Sequence, residues 1–394
     1  MEATWERVAA VPVALAVQDT TEVDLSSHPA TSGLGPLRQA GTHGLLVHST
    51  LAVTPEGLPL GLLAQERWAR SEPPPEPPRT KAKRARGDRE SQKWFTSLAA
   101  VVAGREGAPD TLLVSVGDRE ADIYDLFVVP RPRQVELLVR ARWDRWVRTD
   151  ADAYIHGLWA TVAKAPAAAT RAVLVARQVG QSARTATVTI RWLPLTLTPP
   201  RARVAELPLV PLWAIWVHEE APPPDTEPLD WLLLTTVAVT TTAEALERVD
   251  WYICRWVIEV WHKVLKSGCL VEQRQLASAA TIQRGLALYS VIAWRLLWAT
   301  LLARATPDVP CTALLEAAEW QALYCAIHKT PQPPRTPPTL GQAVHWLGQL
   351  GGHMGRKSDG PPGTEVLWRG LQRLVDLTLM YHVFTPAPVR ARCG

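Results

Sequence analysis

The chain contains 394 residues, of which 47% are hydrophobic and 20% are charged, and its formal net charge is +4 at pH 7. These values are typical of a globular protein of two or three domains, or of one large core with an insertion. Because the net charge is small, they exclude a uniformly basic protein, and binding to nucleic acid would have to depend on local basic clusters.

The cysteines and histidines do not show the patterns of a disulfide framework or of a zinc site. The five cysteines form no C-x-x-C pair, and their odd number argues against a disulfide framework. The histidines do not cluster at the spacing of zinc ligands. The N-terminal stretch has early acids and no basic segment, unlike a signal peptide. A reduced, cytoplasmic compartment fits this usage best.

The first third of the chain alternates strand and helix patterns. The apolar run "VPVALAVQDTTEVD" predicts a buried strand that reaches Asp19, and "GLLVHSTLAV" and "GLPLGLLAQERW" predict two more strands around a turn at Pro55–Gly57. The basic stretch "RTKAKRARGDRE" is either a solvated loop or a segment that contacts a DNA backbone. A helix ("ESQKWFTSLAAVVAG") precedes a strand ending in Asp118 ("TLLVSVGD"), a helix start ("READIYDLF") and a further strand ("QVELLVRAR").

This order of elements is the opening order of an RNase H-like fold, by analogy with known folds. Residues 143–227 alternate as antiparallel strands and predict a β insertion, after which "DWLLLTT" returns to the core. Within the insertion, "RARWDRWVRTD" interleaves arginine and tryptophan. This segment either lies against DNA or forms an amphipathic sheet edge.

The next helix carries the most informative pattern. Thr242 is a candidate N-cap, and a helix through Lys266 would place Tyr252, Arg255, Glu259 and Lys266 within an arc of about 60°. Such a stripe suggests a phosphate site in which a divalent cation screens the carboxylate. The alternative is a solvated helix face with ion pairs such as Glu259–Lys263.

Beyond Gly268 the pattern is mostly helical as far as Phe384. The longest apolar run is interrupted by Arg295, which favours a buried helix over a membrane span. In "GGHMGRKSDG" the order of a phosphate-binding loop is broken by Arg356, so no nucleotide cofactor is expected.

Two aspartates that follow strands and one helical glutamate suit a two-metal site for phosphoryl transfer. Asp19, Asp118 and Glu259 would supply hard carboxylate ligands, which select two Mg²⁺ or Mn²⁺ ions.

The spacing Tyr252-x2-Arg255-x3-Glu259-x6-Lys266 resembles the signature of the insertion-sequence-four family of bacterial transposases. "VQDTT", "GDREADIYD", "ESQKW", "WLLLTT", "WHK" and "GRKSDGPPGTEVLWRGLQRL" are also similar to members of that family, so that the resemblance covers essentially the whole chain. It implies cut-and-paste transposition by a DNA-bound homodimer that acts on transposon ends and target DNA. The expected location is the bacterial cytoplasm, at the nucleoid when the protein is bound to DNA.

The resemblance also implies residue roles. Asp19, Asp118 and Glu259 fall on the catalytic, metal-binding triad of an RNase H-like core. Five further residues fall on DNA-contacting positions: Tyr252, Arg255, Lys263, Lys266 and Arg140. Trp231 falls on the position that stacks on a base flipped out of the duplex, its alternative being a core tryptophan at a strand start.

The implied organisation is a core in two parts, residues 1–142 and 228–290, separated by the β insertion at 143–227 and followed by an all-helical dimerisation and DNA-contact region at 291–394. Family members begin with a DNA-binding region that has no counterpart before Asp19. Two functions therefore remain: a metal-dependent DNA nuclease and strand transferase, or a truncated, non-catalytic chain that dimerises with full-length transposase and inhibits it.

Overall fold

The computed structural model describes residues 2–71, 90–150, 152–175, 183–356 and 359–384. The basic stretch at 79–90 lies outside the described residues except for Glu90, as do Lys357 and Ser358 of the late glycine-rich segment. The strands are β1 (Val13–Asp24), β2 (Gly35–Pro36), β3 (His43–Val53), β4 (Pro59–Trp68), β5 (Leu112–Gly117), β6 (Val135–Arg140), β7 (Trp146–Thr149), β8 (Asp152–Gly157), β9 (Ala169–Val175), β10 (Arg184–Leu197), β11 (Val210–His218) and β12 (Asp230–Thr235). The helices are α1 (Glu2–Ala9), α2 (Gln92–Gly104), α3 (Tyr124–Val128), α4 (Leu158–Ala163), α5 (Thr242–Ile253), α6 (Trp256–Lys263), α7 (Ala279–Ala305), α8 (Ala317–His328), α9 (Leu340–Leu350) and α10 (Thr364–Phe384).

The protein is a mixed α/β structure with a large, mostly antiparallel sheet and C-terminal helices, as the sequence predicts at this level. It divides into two compact units. The first unit comprises residues 1–21 and 46–259, and the second comprises residues 22–45 and 260–394. The division into the four ranges 1–142, 143–227, 228–290 and 291–394 remains a prediction.

The sheet of the first unit runs in the order β4, β3, β1, β5, β6, β12, β11, β10. Strands β1, β5 and β6 are parallel to one another, and β12 returns antiparallel to β6. Their central residues are fully buried apolar side chains, which is the pattern of strands covered on both faces. The parallel strands end at one edge of the sheet, and that edge carries the candidate site.

The apolar core of this unit includes α2, whose Trp94 and Leu98 belong to the same buried cluster as Ala14 and Ala16 of β1. Leu15 and Val17 alternate with these two alanines and are also fully buried, so the opposite face of β1 is covered as well. Residues two positions apart in a strand point to the same face, so Asp19 lies on the same face of β1 as Leu15 and Val17.

The stretch predicted as a β insertion is antiparallel β structure in the described residues. β11 pairs with β12 along six residue pairs, and β10 pairs with β11, β9 and β7. β8 then pairs with β7. These strands therefore extend the sheet that contains the core strands.

Two local expectations for the helix after β12 are wrong. The N-cap is Thr241, one residue earlier than expected, because its hydroxyl accepts from the Glu244 N–H while the Glu244 carboxylate accepts from the Thr241 N–H. The segment from Tyr252 to Lys266 is not one continuous helix, since α5 ends at Ile253 and α6 begins at Trp256. At the junction, three N–H groups (Arg255, Val257 and Ile258) bond to carbonyls three residues back, which tightens the turn.

In the second unit α7 is the longest described helix. It buries nine side chains, but Leu288 is 71% exposed, so the expected buried helix is covered on one side only. Arg295 makes an ion pair with Glu319 of α8 at 3.1 Å. Among the described residues, α7 alone is long and apolar enough to cross a membrane, and about a third of its apolar window is buried against the chain.

Candidate active site

Asp19 and Asp118 lie side by side at the end of the parallel strands. The register of β1 and β5 pairs Val17 with Val116, and the two aspartates follow these residues by two positions on each chain segment. Neighbouring strands are about 4.8 Å apart. The sequence predicts one strand that reaches Asp19 and another that ends in Asp118. In the structure β1 continues to Asp24, so Asp19 lies within it, and the sheet register places the two acids at the same level.

Arg140 belongs to the same edge. The register of β5 and β6 pairs Gly117 with Val139, so the residues that follow are Asp118 and Arg140. Arg140 also pairs with Leu233 of β12, and its Nη2 donates to the carbonyl of Asp230 at 2.7 Å. Burial lowers the pKa of this guanidinium, with the nearby positive charge of Arg119 acting in the same direction and Tyr252 acting against it.

Asp118 is held by the turn that follows β5. Its Oδ1 accepts a hydrogen bond of 2.8 Å from the N–H of Glu120, and it caps a short 3₁₀ turn at Arg119–Ala121. Gly117 permits this turn, because a Cβ there would lie 2.4 Å from the Cβ of Ala121. Burial raises the pKa of Asp118, and the charge of Asp19 raises it further against the effect of the Glu120 N–H.

Glu259 comes from the first turn of α6. Its Oε1 lies 2.8 Å from Nη2 of Arg255, one turn earlier. Arg255 is mostly buried beside the acid. Burial raises the pKa of Glu259, Arg255 opposes this effect, and the charges of Asp19 and Asp118 add to it. The three acids therefore share one electrostatic environment.

Tyr252 connects the two arginines to Trp231. Its side chain is only 3% exposed, and the Arg255 guanidinium lies over its ring at 5.9 Å from the centroid. Its ring meets that of Trp231 edge to face, with centroids 5.3 Å apart. Burial lowers the pKa of Arg255, but the nearby Tyr252 phenol and the carboxylates of Glu259 and Asp19 outweigh burial and raise it.

The two lysines of the predicted stripe belong to the second unit. Lys263 is the last residue of α6 and is exposed. Lys266 lies in a π-helical turn, Val264–Gly268, and its Nζ is 3.5 Å from Oε1 of Glu272. The first unit thus brings seven predicted site residues to one place: Asp19, Asp118, Glu259, Tyr252, Arg255, Arg140 and Trp231.

Asp122 is a buried residue near the site that the sequence interpretation did not single out. Its carboxylate accepts from the backbone N–H of Arg142 and of Trp143, and it binds the guanidinium of Arg145 at 2.6 Å. The carboxylate is fully buried, and these contacts connect the Asp118 turn to the chain that leaves β6. No local pattern marks it, because all of its partners are 20 or more positions away.

A second cluster of polar contacts, formed by Trp216, His218 and Asp230, lies next to Trp231 at the start of β12. Trp216 Nε1 donates to Oδ1 of Asp230 at 2.6 Å, and His218 Nδ1 lies 3.2 Å from the same oxygen. Asp230 precedes Trp231, and its carbonyl also binds Arg140. These contacts fix the start of β12 and so the position of the Trp231 backbone. In the sequence these residues appear only as two separate stretches, "WVH" and "DW". Their proximity follows from the register of β11 and β12, which pairs the two stretches.

The donor set fits a hard divalent cation, since three carboxylates of like charge raise one another's pKa and a cation would relieve that repulsion. In the described part of the chain, no three His, Cys, Asp or Glu side chains are already arranged as a metal-binding cluster. The Glu259 carboxylate contacts Arg255 instead.

Comparison with known proteins concerns mainly the second unit. Residues 291–380 match the family model of the transposase Tn5 dimerisation domain, which takes in the helices from α7 to α10. Among solved structures, the chain is similar to the piggyBac transposase in the cryo-EM structure of its synaptic complex with hairpin DNA. That similarity has a TM-score of 0.34 at 7% identity and covers 75% of this chain and 48% of the other. The chain therefore spans about half the length of that protein.

Proposed function

We propose that this chain is a DNA transposase of the insertion-sequence-four family that cleaves and joins DNA strands with two Mg²⁺ or Mn²⁺ ions. The observation that carries the proposal is the register of β1 and β5, which sets Asp19 and Asp118 at the same level, with the charges of both acids acting on Glu259 of α6. The order β4, β3, β1, β5, β6, with the last three parallel, supports an RNase H-like core. The dimerisation-domain match at 291–380 supports the same function.

The protein groups have distinct roles in the proposed reaction. Asp19, Asp118 and Glu259 would hold the two ions, which supply charge stabilisation for the attacking and leaving oxygens. Arg255 is released from Glu259 to bind the phosphate, because a guanidinium matches a phosphate in a bidentate manner. Tyr252 lies against Arg255 and acts on the pKa of Arg140, and would keep the two guanidiniums near the same phosphate. Water attacks the phosphorus in line and displaces the 3′ oxygen, which leaves as a 3′ hydroxyl. This 3′ hydroxyl then attacks the phosphorus of a second strand in line and displaces the 3′ oxygen of that strand.

Trp231 is proposed to stack on a base that leaves the duplex, a contact worth about 1–3 kcal/mol per base. Its ring is half-buried against Tyr252, which orients one edge of the indole. Lys263 and Lys266 are proposed as further phosphate contacts. The partners are transposon-end and target duplexes in the bacterial cytoplasm, with the protein at the nucleoid when it is bound to DNA.

A homodimer is proposed through the C-terminal helices. On α10, Val375, Leu379 and Val383 are exposed at a spacing of four residues and form an apolar stripe. A stripe of this kind is buried when two helices associate.

Cleavage of a pre-nicked or hairpin DNA end in Mn²⁺ tests the proposed function. The wild-type chain is expected to give product with Mn²⁺ and none with EDTA. Asp19→Asn, which removes a charged ligand but keeps the volume, is expected to give none with either. Product formed by Asp19→Asn at the wild-type rate would contradict the assignment of Asp19.

The dimerisation-domain match also favours the second function, a non-catalytic chain that dimerises with a catalytic transposase and inhibits it. The cleavage assay separates the two. An inhibitory chain is expected to show no product alone and to reduce cleavage when mixed with an active transposase of the same family.

Lys266→Ala is expected to weaken DNA binding and to reduce the slope of log affinity against log salt by about 1, since one phosphate contact is lost. Loss of the half-exposed pair with Glu272 should change stability little. Binding titrations between low and moderate salt measure the slope. Lys164→Ala, an exposed lysine with no proposed DNA contact, is the control. An unchanged slope in Lys266→Ala would remove that contact from the proposal.

A further inference from the structure

An open groove lies on one face of β7 in the first unit. It has a volume of about 290 Å³, and its walls come from β7, β8 and the segment between β10 and β11. The residues that define this β7 groove are Trp146, Arg148, Ile155, Arg201, Val204 and Leu209. All six are exposed, so the groove is open to solvent.

The groove is positively charged. Among the side chains that the structure describes along it, Arg148 and Arg201 are the ionisable ones and none is an acid. Other arginines of this region have structural partners: Arg145 is paired with Asp122, and Arg203 with Asp125 and Glu206. Within the described ranges, Arg148 and Arg201 form no such ion pair. Their charges are therefore available to a ligand.

The groove also has an aromatic, apolar surface. The Trp146 indole is 43% exposed, and the Arg201 guanidinium lies over its ring at 5.5 Å from the centroid. Ile155, Val204 and Leu209 add apolar surface beside it. The phosphates of an intact duplex bind to charged groups and do not require an apolar contact surface. An unpaired base, in contrast, buries its apolar face when it stacks on tryptophan or arginine.

Trp146 is also rigidly placed. Its carbonyl accepts from the N–H and from the hydroxyl of Thr198, at 2.9 and 2.8 Å. Four residues earlier, the backbone of Arg142 is held by the buried carboxylate of Asp122. A preorganised platform of this kind costs little entropy on binding.

We infer that the β7 groove binds an unpaired nucleotide segment of DNA, with a base on Trp146 and the adjoining phosphates on Arg148 and Arg201. This inference rests on the proposed function, since it names a second DNA contact apart from the candidate active site. A groove for a protein partner would not need two unneutralised arginines, and a duplex contact would not need the tryptophan.

Fluorescence-anisotropy titrations of the full chain test the inference with two DNA probes, a blunt duplex and the same duplex with a short single-stranded tail. Wild-type protein is expected to bind the tailed probe more tightly. Trp146→Ala is expected to weaken binding of the tailed probe by about 5- to 100-fold, as for loss of one stacked base, and to leave blunt-duplex binding within about 2-fold. Tyr154→Ala is the matched control, because Tyr154 is a 79% exposed aromatic on the neighbouring strand that does not line the groove.

The double variant Arg148→Gln/Arg201→Gln tests the groove independently, so the result does not depend on the folding of Trp146→Ala. It keeps the indole and is expected to reduce affinity for the tailed probe and its salt dependence together. Equal affinities of wild type and both variants for the tailed probe overturn the inference, and so does an equal loss on both probes. If wild-type protein binds neither probe and cleaves no DNA, the proposed function fails as well. If it cleaves DNA but the groove variants bind normally, the inference alone fails.

Discussion

Asp118→Asn is expected to abolish metal-dependent DNA cleavage while making the folded chain more resistant to heat at neutral pH. The loss of cleavage should be on the order of 10³-fold or more, because a charged group at the reacting centre is removed. Asparagine keeps the acceptor for the Glu120 N–H, so the turn after β5 should be retained. DNA binding should persist, since the arginines are unchanged.

The expected gain in stability follows from the direction of the pKa shift. Burial raises the pKa of Asp118 in the folded chain, with Asp19 adding to the effect. Its contribution to stability is therefore fully present below the pKa of the unfolded chain, about 3.9, and is lost as the pH rises through the folded value. Removing the charge restores that stability at neutral pH. The difference in Tm between variant and wild type should be positive at pH 7–8 and should shrink as the pH falls towards about 4.

Thermal melts with and without Mn²⁺ provide a readout besides activity. Mn²⁺ should raise the Tm of the wild type, because an ion that binds the folded state stabilises it, and should raise that of Asp118→Asn much less. Asp110→Asn is the control, since Asp110 is exposed. A variant that melts below the wild type at pH 7, or that responds equally to Mn²⁺, would contradict the electrostatic description of the site.

Asp122→Ala is expected to lower the free energy of unfolding by about 3–5 kcal/mol, since it leaves a mostly buried arginine without its partner. The Asp122 carboxylate is fully buried and the Arg145 side chain is 11% exposed, and two backbone N–H groups lose their acceptor as well. Denaturant unfolding at pH 7 measures the change. The start of the β insertion should loosen with it, so binding to tailed DNA should weaken too.

Two variants separate a buried charge from general damage. Asp125→Ala breaks the more exposed pair with Arg203 and should cost less than about 1 kcal/mol. Adding Arg145→Met to Asp122→Ala should recover part of the loss, because the unpaired charge is removed. If the double variant is no more stable than Asp122→Ala alone, the unpaired guanidinium is not the cause.

The sequence by itself was sufficient for features that depend on near neighbours in the chain. Buried apolar runs predicted β1, β5, β6 and β12, and alternating residues predicted the antiparallel strands of residues 143–227. The period of a strand or helix depends on positions two to four residues apart, so it can be seen without a fold. The placement of Asp118 after a strand and of Glu259 on a helix followed from the same local patterns, whereas β1 continues past Asp19 to Asp24.

Only the tertiary structure decided what those residues contact. The N-cap at Thr241 rather than Thr242 and the break between α5 and α6 differ from the local expectation. The contact of Glu259 with Arg255, which is buried near Asp19 and Tyr252, also depends on the packing around it. The level at which Asp19 meets Asp118 is set by a register between strands about a hundred residues apart, and the role of Asp122 depends on partners that distant packing brings to it. Periodicity contains no information about such contacts, because they are fixed by which surfaces pack together when the whole chain folds.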